Sequence, residues 1–79
     1  MPMPLEELVW QVVLAARAGN RQEVRALAGR LLGQLRAGEP LMPDAGLEAA
    51  LALRDVRAFD LLEELGQVLR RNAVMNGIR

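Results

Sequence analysis

Four stretches of the chain carry apolar residues every three to four positions, the spacing that collects them on one face of a helix. The first stretch begins near Pro4, a suitable first-turn residue, and the second follows Asn20. The third begins at Pro43 or Asp44, and the fourth follows a tight turn at about residues 54–56. The pattern predicts an all-α fold with four helices as two stacked antiparallel helical hairpins.

The first predicted helix has apolar residues on two faces. Trp10 and Leu14 lie off its main stripe and add a second apolar surface. A helix of this kind is either central in the fold or shared with a partner. Trp10 therefore has two interpretations, as a core anchor or as an interface anchor. The main stripe consists of Leu5, Leu8, Val9, Val12, Val13 and Ala16.

Turn and cap signals separate the first helix from the second. Gly19 can take the left-handed conformation that closes a helix, and Asn20 with Glu23 is typical of a helix N-cap. Gly29 and Gly33 lie four residues apart, and each costs about 1 kcal/mol relative to Ala inside a helix. They predict a close helix–helix crossing, with compositional drift as the alternative. The core stripe of this helix is Val24, Leu27, Ala28, Leu31, Leu32 and Leu35.

A break containing Gly38, Pro40 and Pro43 divides one predicted domain, residues 1–79, into two hairpins. The hairpins are expected over residues 4–37 and 43–72, followed by a weakly specified tail, 73–79. The third helix is expected to face inward through Leu47, Ala50 and Leu51. The stripe of the fourth is Phe59, Leu62, Leu65 and Leu69, with Phe59 and Leu62 expected at the centre of the core. In the tail, Val74, Met75 and Ile78 are expected either to fray or to dock on a partner.

The chain contains no Ser, Thr, Tyr, Cys, His or Lys. This removes the hydroxyl and thiol nucleophiles, the imidazole base and the soft metal ligands. The sequence therefore predicts a protein that is not an enzyme, with no catalytic residue, cofactor or metal. The remaining candidates for acid–base chemistry or a hard cation are Asp60 and Glu64, four residues apart, with Glu63 beside them. A solvated acidic helix face is the preferred interpretation of these three.

The formal net charge is zero, but the charges are segregated along the chain. Residues 17–36 hold five arginines against one glutamate, and residues 39–64 hold seven acidic residues against two arginines. Such segments attract each other, either within one chain or across an interface. With no net positive charge and no aromatic platform, nucleic-acid binding is not predicted. The interface candidates are Trp10, Leu14, Arg21, Arg25, Glu63 and Glu64.

Length and composition also constrain assembly and location. A core from 79 residues is marginal, and such chains often gain stability by oligomerising. No apolar run is long enough for a membrane span, and the N-terminus lacks a basic signal-peptide region, so a cytoplasmic location is expected. The bias toward Ala, Arg, Gly, Leu, Val and Pro is typical of a GC-rich bacterial genome, with a restricted, engineered alphabet as the alternative.

The two halves of the sequence resemble each other. Residues 14–17 followed by 24–27 parallel residues 51–54 followed by 59–62, which suggests stacked helical hairpins. The stretch Leu53-Arg54-Asp55-Val56-Arg57-Ala58-Phe59-Asp60-Leu61-Leu62-Glu63-Glu64-Leu65 resembles a tetratricopeptide-like hairpin, in which a short turn precedes an aromatic residue. The resemblance covers roughly residues 5–71. It implies a helical-repeat fold that binds a protein or peptide.

These observations favour a non-enzymatic protein–protein interaction or oligomerisation module. The expected partner is a protein, either a second copy or another chain, and a homo-oligomer is preferred. The alternative is a monomeric tetratricopeptide-like adaptor that captures a peptide between its hairpins. A carboxylate-based enzyme is a distant third interpretation.

Overall fold

The computed structural model describes residues 3–77, with side chains described for residues 3–73. Four α-helices account for most of this range. They are α1 (Leu5–Arg17), α2 (Arg21–Arg36), α3 (Pro43–Asp55) and α4 (Phe59–Gly77). The predicted all-α fold is confirmed.

The first two helices begin where the sequence signals place them. Pro4 precedes α1, and its carbonyl accepts a hydrogen bond of 3.1 Å from the Leu8 N–H. Asn20 caps α2, since its side-chain Oδ1 accepts a hydrogen bond of 3.2 Å from the Glu23 N–H. This bond satisfies one of the backbone donors that a helix start leaves unpaired, and it confirms the predicted cap.

The same turn closes α1, α2 and α3. In each turn a left-handed residue donates its N–H to the carbonyl three residues earlier, and the next N–H reaches the carbonyl five residues earlier, at 2.9–3.2 Å. The left-handed residues are Gly19 (φ 71°), Gly38 (φ 97°) and Arg57 (φ 59°). Arg57 adopts a backbone conformation that is unfavourable for a residue with a Cβ atom. The turn after α3 is therefore strained where the turn after α1 is not.

The helices form two hairpins that stack on each other. α1 packs against α2 and α3, and α4 packs against α2 and α3. Contacts join α2 and α4 near both their starts, at Arg25 and Asp60, and their ends, where Asn72 donates a 3.0 Å hydrogen bond to the Leu35 carbonyl. These two helices are therefore parallel, and since a tight turn reverses the chain within each hairpin, α1 and α3 are parallel as well. The predicted stacked antiparallel hairpins are confirmed.

The two hairpins are equivalent in a single register. Aligning the start of α1 with the start of α3 also aligns the start of α2 with that of α4. The left-handed residues Gly19 and Arg57 coincide in the same alignment. Leu5 then corresponds to Pro43, and all equivalent positions named below follow this register. The register inferred from the similar halves of the sequence was therefore wrong. Leucine- and alanine-rich segments match in several registers, whereas the helix starts and turns allow only one.

The inner face of α3 differs from the prediction. Leu47 and Leu51 are 61% and 41% exposed, and Ala50 is only partly buried. Small residues face inward instead, since α3 packs closely against its neighbours. At Gly46 an added Cβ would lie 3.2 Å from Cδ1 of Leu69 in α4. The buried residues of α3 are Gly46, Ala49, Ala52 and Leu53.

Phe59 and Leu62 do not form the centre of the core. Phe59 is 57% exposed, and Leu62 is only partly buried at the margin of the core. Phe59 is the first residue of α4, and its equivalent in the first hairpin is the exposed Arg21. Among the described side chains of α4, Leu65 is the buried one, at 1% exposed. The prediction that the first residues of α4 face the core was therefore wrong.

The close approach predicted at Gly29 and Gly33 is also absent. Both glycines are exposed, and nothing lies within 4 Å of a Cβ added at either position. The arginine-rich face of α2 that carries them points to solvent, and the close approach lies at Gly46 instead.

The last helix is longer than predicted. α4 continues to Gly77, so the tail expected to be weakly specified from residue 73 is helical up to that residue. The predictions for the side chains of Val74, Met75 and Ile78 lie outside the described residues.

Candidate functional site

A cleft lies between α1 and α3 on the outer surface. It has a volume of about 300 Å³, and its walls are formed by these two parallel helices. Trp10 and Val13 contribute the apolar wall of α1, and Leu51 contributes that of α3. The complete lining is Trp10, Val13, Ala16 and Arg17 with Glu48, Leu51, Ala52 and Asp55.

Large apolar side chains stand exposed on this face. Trp10 is 50% exposed and Leu14 40% exposed, one helical turn apart on α1. On α3, Leu51 borders the same cleft and is 41% exposed, whereas Leu47, which is 61% exposed, lines a separate groove between α3 and α4. Trp10, Val13, Leu14 and Leu51 are termed the α1/α3 face below. Trp10 thus lies at the surface, which decides between its two interpretations against the buried core anchor.

The cleft carries charges of both signs along its rim. Arg17 closes it on α1, and Glu48 and Asp55 border it on α3. All three residues are exposed. An apolar floor between charged margins is the usual composition of a protein-binding surface, where the apolar centre contributes affinity and the rim contributes orientation.

The opposite face, formed by α2 and α4, is dominated by charge. Arg25 donates two hydrogen bonds to the Asp60 carboxylate, at 3.2 and 2.8 Å, and Arg36 lies 3.4 Å from Glu64. The hydrogen bond from Arg25 lowers the pKa of the Asp60 carboxyl and raises the pKa of the Arg25 guanidinium. The basic and acidic segments therefore meet within one chain at these pairs, the first of the two arrangements predicted.

The six predicted interface residues fall on two different faces. Trp10 and Leu14 belong to the α1/α3 face, whereas Arg21, Arg25, Glu63 and Glu64 lie on α2 and α4. Arg25 pairs with Asp60, and Glu64 pairs with Arg36. Among the described side chains, Arg21 and Glu63 form no ion pair. Glu63 instead accepts a 3.4 Å hydrogen bond from the Gln67 side chain.

Sequence reasoning missed the α3 half of the cleft. Leu47 and Leu51 were assigned to the core because leucines at helical spacing usually face inward. The signal against that assignment is an alternative stripe at Gly46, Ala49 and Leu53, which begins with two small residues and has the same helical spacing. The packing of α3 against α1 and α4 selects the second stripe.

The acidic residues considered for catalysis or cation binding form no such site. Asp60 and Glu64 each pair with an arginine. Within residues 3–73, no group of three His, Cys, Asp or Glu side chains is placed to hold a metal ion. Across residues 3–77, no helix combines the length and apolar character needed to cross a membrane.

Comparison with protein-family models, curated proteins and solved structures finds no match to this chain.

Proposed function

We propose that the chain is a non-enzymatic protein-interaction module whose α1/α3 face binds an amphipathic segment of a protein partner. The observation that carries the proposal is the half-exposed Trp10 beside the cleft between two parallel helices. Tryptophan is among the residues that most often dominate interface energetics, and burying one removes a large apolar area from water.

The distribution of polarity over the surface supports the same face. Three of the six large apolar side chains that are exposed among the described residues belong to it, namely Trp10, Leu14 and Leu51. The α2 and α4 surface presents mainly arginine and carboxylate groups, which are well solvated. A partner that covered the α1/α3 face would bury apolar area without removing the ion pairs of the other face from water.

The chemistry of the cleft specifies the partner segment. Trp10, Val13 and Leu51 suit apolar side chains at helical spacing, as in the insertion of a helix into a groove. The carboxylates of Glu48 and Asp55 suit a basic residue beside them. The resemblance to tetratricopeptide hairpins, which implies peptide binding, supports this proposal.

Oligomerisation is a second function with separate support. The small chain leaves further apolar surface exposed between α3 and α4, where Met42 and Leu47 border another groove. Association of copies would cover that surface and stabilise a marginal core.

Trp10 provides a direct test of peptide binding, because it is the single tryptophan of the chain. Peptides selected from a displayed random library are titrated into the protein while the emission of Trp10 is recorded. Binding at the α1/α3 face shifts this emission to shorter wavelength. Leu51→Ala should weaken binding about tenfold, which corresponds to about 1.4 kcal/mol.

Phe59→Ala is the matched control. Like Leu51→Ala, it truncates an exposed large apolar side chain, but Phe59 lies on α4, outside the α1/α3 face. It should leave peptide affinity unchanged. Selected peptides that bind without altering Trp10 emission, and equally well to Leu51→Ala, would show that the α1/α3 face is not the recognition surface.

A further inference from the structure

The second hairpin contains a groove at positions whose equivalents in the first hairpin are buried. It has a volume of about 360 Å³ and lies between α3 and α4, and the described residues that line it are all apolar. Five of these residues are equivalent to side chains of the first hairpin that are at most 2% exposed. The groove residues are Gly46, Leu47, Ala50, Leu69 and Ala73, and their buried equivalents are Leu8, Val9, Val12, Leu31 and Leu35.

The cause is the stacking of equivalent hairpins. The second hairpin packs over one side of the first, through α1 with α3 and α2 with α4. The same side of the second hairpin has no neighbour in the described chain. The groove is therefore the surface on which a further helical hairpin would continue the stack.

The other end of the stack is polar. Ala45, Ala49, Leu61 and Val68 of the second hairpin lie in or against the common core. Their equivalents in the first hairpin are Glu7, Gln11, Glu23 and Arg30. Terminal units of helical stacks need such a polar outer surface to stay soluble. The outer surface of the first hairpin is therefore polar, like that of a terminal unit. The outer surface of the second hairpin is apolar and uncovered.

We propose that a second copy of this chain covers the open groove, related by a two-fold axis that places α3 and α4 of one copy against α3 and α4 of the other. A two-fold contact joins the apolar end to itself and buries both grooves. Head-to-tail stacking would place the apolar groove against the polar end of the next copy. The geometry thus favours a closed dimer over a growing fibre.

Charges beside the groove suit the same arrangement. Asp44 follows Pro43, and Arg70 follows Leu69, where Pro43 and Leu69 both line the groove. Asp44 and Arg70 are exposed, and Arg70 occupies the position equivalent to the buried Leu32. In a two-fold interface each copy supplies one acidic and one basic group to the other, so the edge is complementary to itself.

This inference rests on the oligomerisation part of the proposed function, and its test is the molar mass in solution. Light scattering is recorded over a range of concentrations for the wild type, Leu47→Glu and Leu51→Glu. The wild type should reach a plateau at twice the chain mass of 8.7 kDa. Leu47→Glu should remain at the chain mass, with unchanged helix content, because Leu47 is exposed in the single chain.

Leu51→Glu is the matched control, one turn further along α3 and in the other cleft, and it should form dimers like the wild type. Asp44→Arg should weaken the dimer, and Asp44→Arg combined with Arg70→Asp should restore it. Trp10 emission should not change on dimerisation.

Three results would overturn the inference. One is a wild type that stays at the chain mass at every concentration. Another is a mass that keeps rising past the dimer, which would indicate head-to-tail stacking. The third is a Leu47→Glu variant that dimerises normally while Trp10→Glu with Leu14→Glu does not. In that case oligomerisation would stand, but through the α1/α3 face.

Discussion

Arg25 and Asp60 join the two hairpins through a bidentate ion pair, with guanidinium nitrogens 3.2 and 2.8 Å from the two carboxylate oxygens. Both side chains stay exposed, at 48% and 63%, so the pair contributes little to stability. The ion pair acts mainly on geometry, because it positions the start of α4 against α2. It also shows that the segregated charges of the sequence meet within the chain.

The first prediction concerns pH. The hydrogen bond from Arg25 holds the pKa of Asp60 below its ordinary value in the folded state. The resulting stabilisation is fully present above the ordinary Asp pKa of about 3.9, and it is lost as the pH falls through the lower folded-state pKa. NMR titration should place the pKa of Asp60 below that ordinary value. Arg25→Gln should raise the pKa of Asp60, and an unchanged titration curve in this variant would contradict the assigned cause.

The second prediction concerns charge reversal. Arg21→Glu with Arg25→Glu should leave helix content nearly unchanged, because both residues are exposed, and should slow association wherever charge guides it. The structure selects the compensating change, since Arg25 faces Asp60 rather than Glu63. Asp60→Arg should therefore re-form this intrachain ion pair with its charges reversed, whereas Glu63→Arg should not. Stopped-flow measurements give the association rate of each variant. If the association rate changes neither with salt concentration nor with these charge reversals, the segregated charges do not guide association.

The third prediction concerns the α1/α3 face. Trp10→Glu with Leu14→Glu should give a folded chain, since these side chains are already 50% and 40% exposed. Circular dichroism should show the helix content of the wild type. Binding of peptides selected against the wild type should be abolished, since a charge would be placed in an apolar contact. A double variant that unfolds would show that Trp10 and Leu14 have a structural role instead.

The fourth prediction compares two residues of α4. Leu65→Ala removes a side chain that is 1% exposed and should cost about 2–5 kcal/mol, enough to threaten folding of so small a chain. Phe59→Ala removes a side chain that is 57% exposed and should change stability by about 0.5 kcal/mol or less, as at other surface positions. Urea unfolding measures both. Equal losses at the two positions would contradict the face assigned to α4.

The fifth prediction concerns glycines. Gly29→Ala and Gly33→Ala should each stabilise the protein by up to about 1 kcal/mol, since both glycines are helical and open space surrounds the new methyl group. Gly19→Ala should destabilise it, because Gly19 has a φ of 71°. Thermal unfolding gives the sign of each change. A loss of stability at Gly29 or Gly33 would revive the close helix crossing.

Local sequence signals predicted the four helices and their boundaries, except for the end of α4. Helical spacing, the Asn20 cap, Gly19 and the break around Pro40 act through neighbours within a few residues along the chain. These local interactions gave four helices in two hairpins, and the structure agrees. The absence of nucleophiles and imidazole, and the presence of an extra apolar surface on α1, could likewise be established from residue types alone.

Which face of each helix is covered depends on packing between helices, and local sequence signals do not predict it. α3 carries two stripes of apolar residues with the same spacing, and the approach of Leu69 to Gly46 buries the one with the smaller side chains. That choice exposes Leu47 and Leu51 and forms both candidate binding surfaces. The physical reason is that periodicity fixes which residues share a face. Which face is buried depends on the steric fit to helices that are distant in sequence.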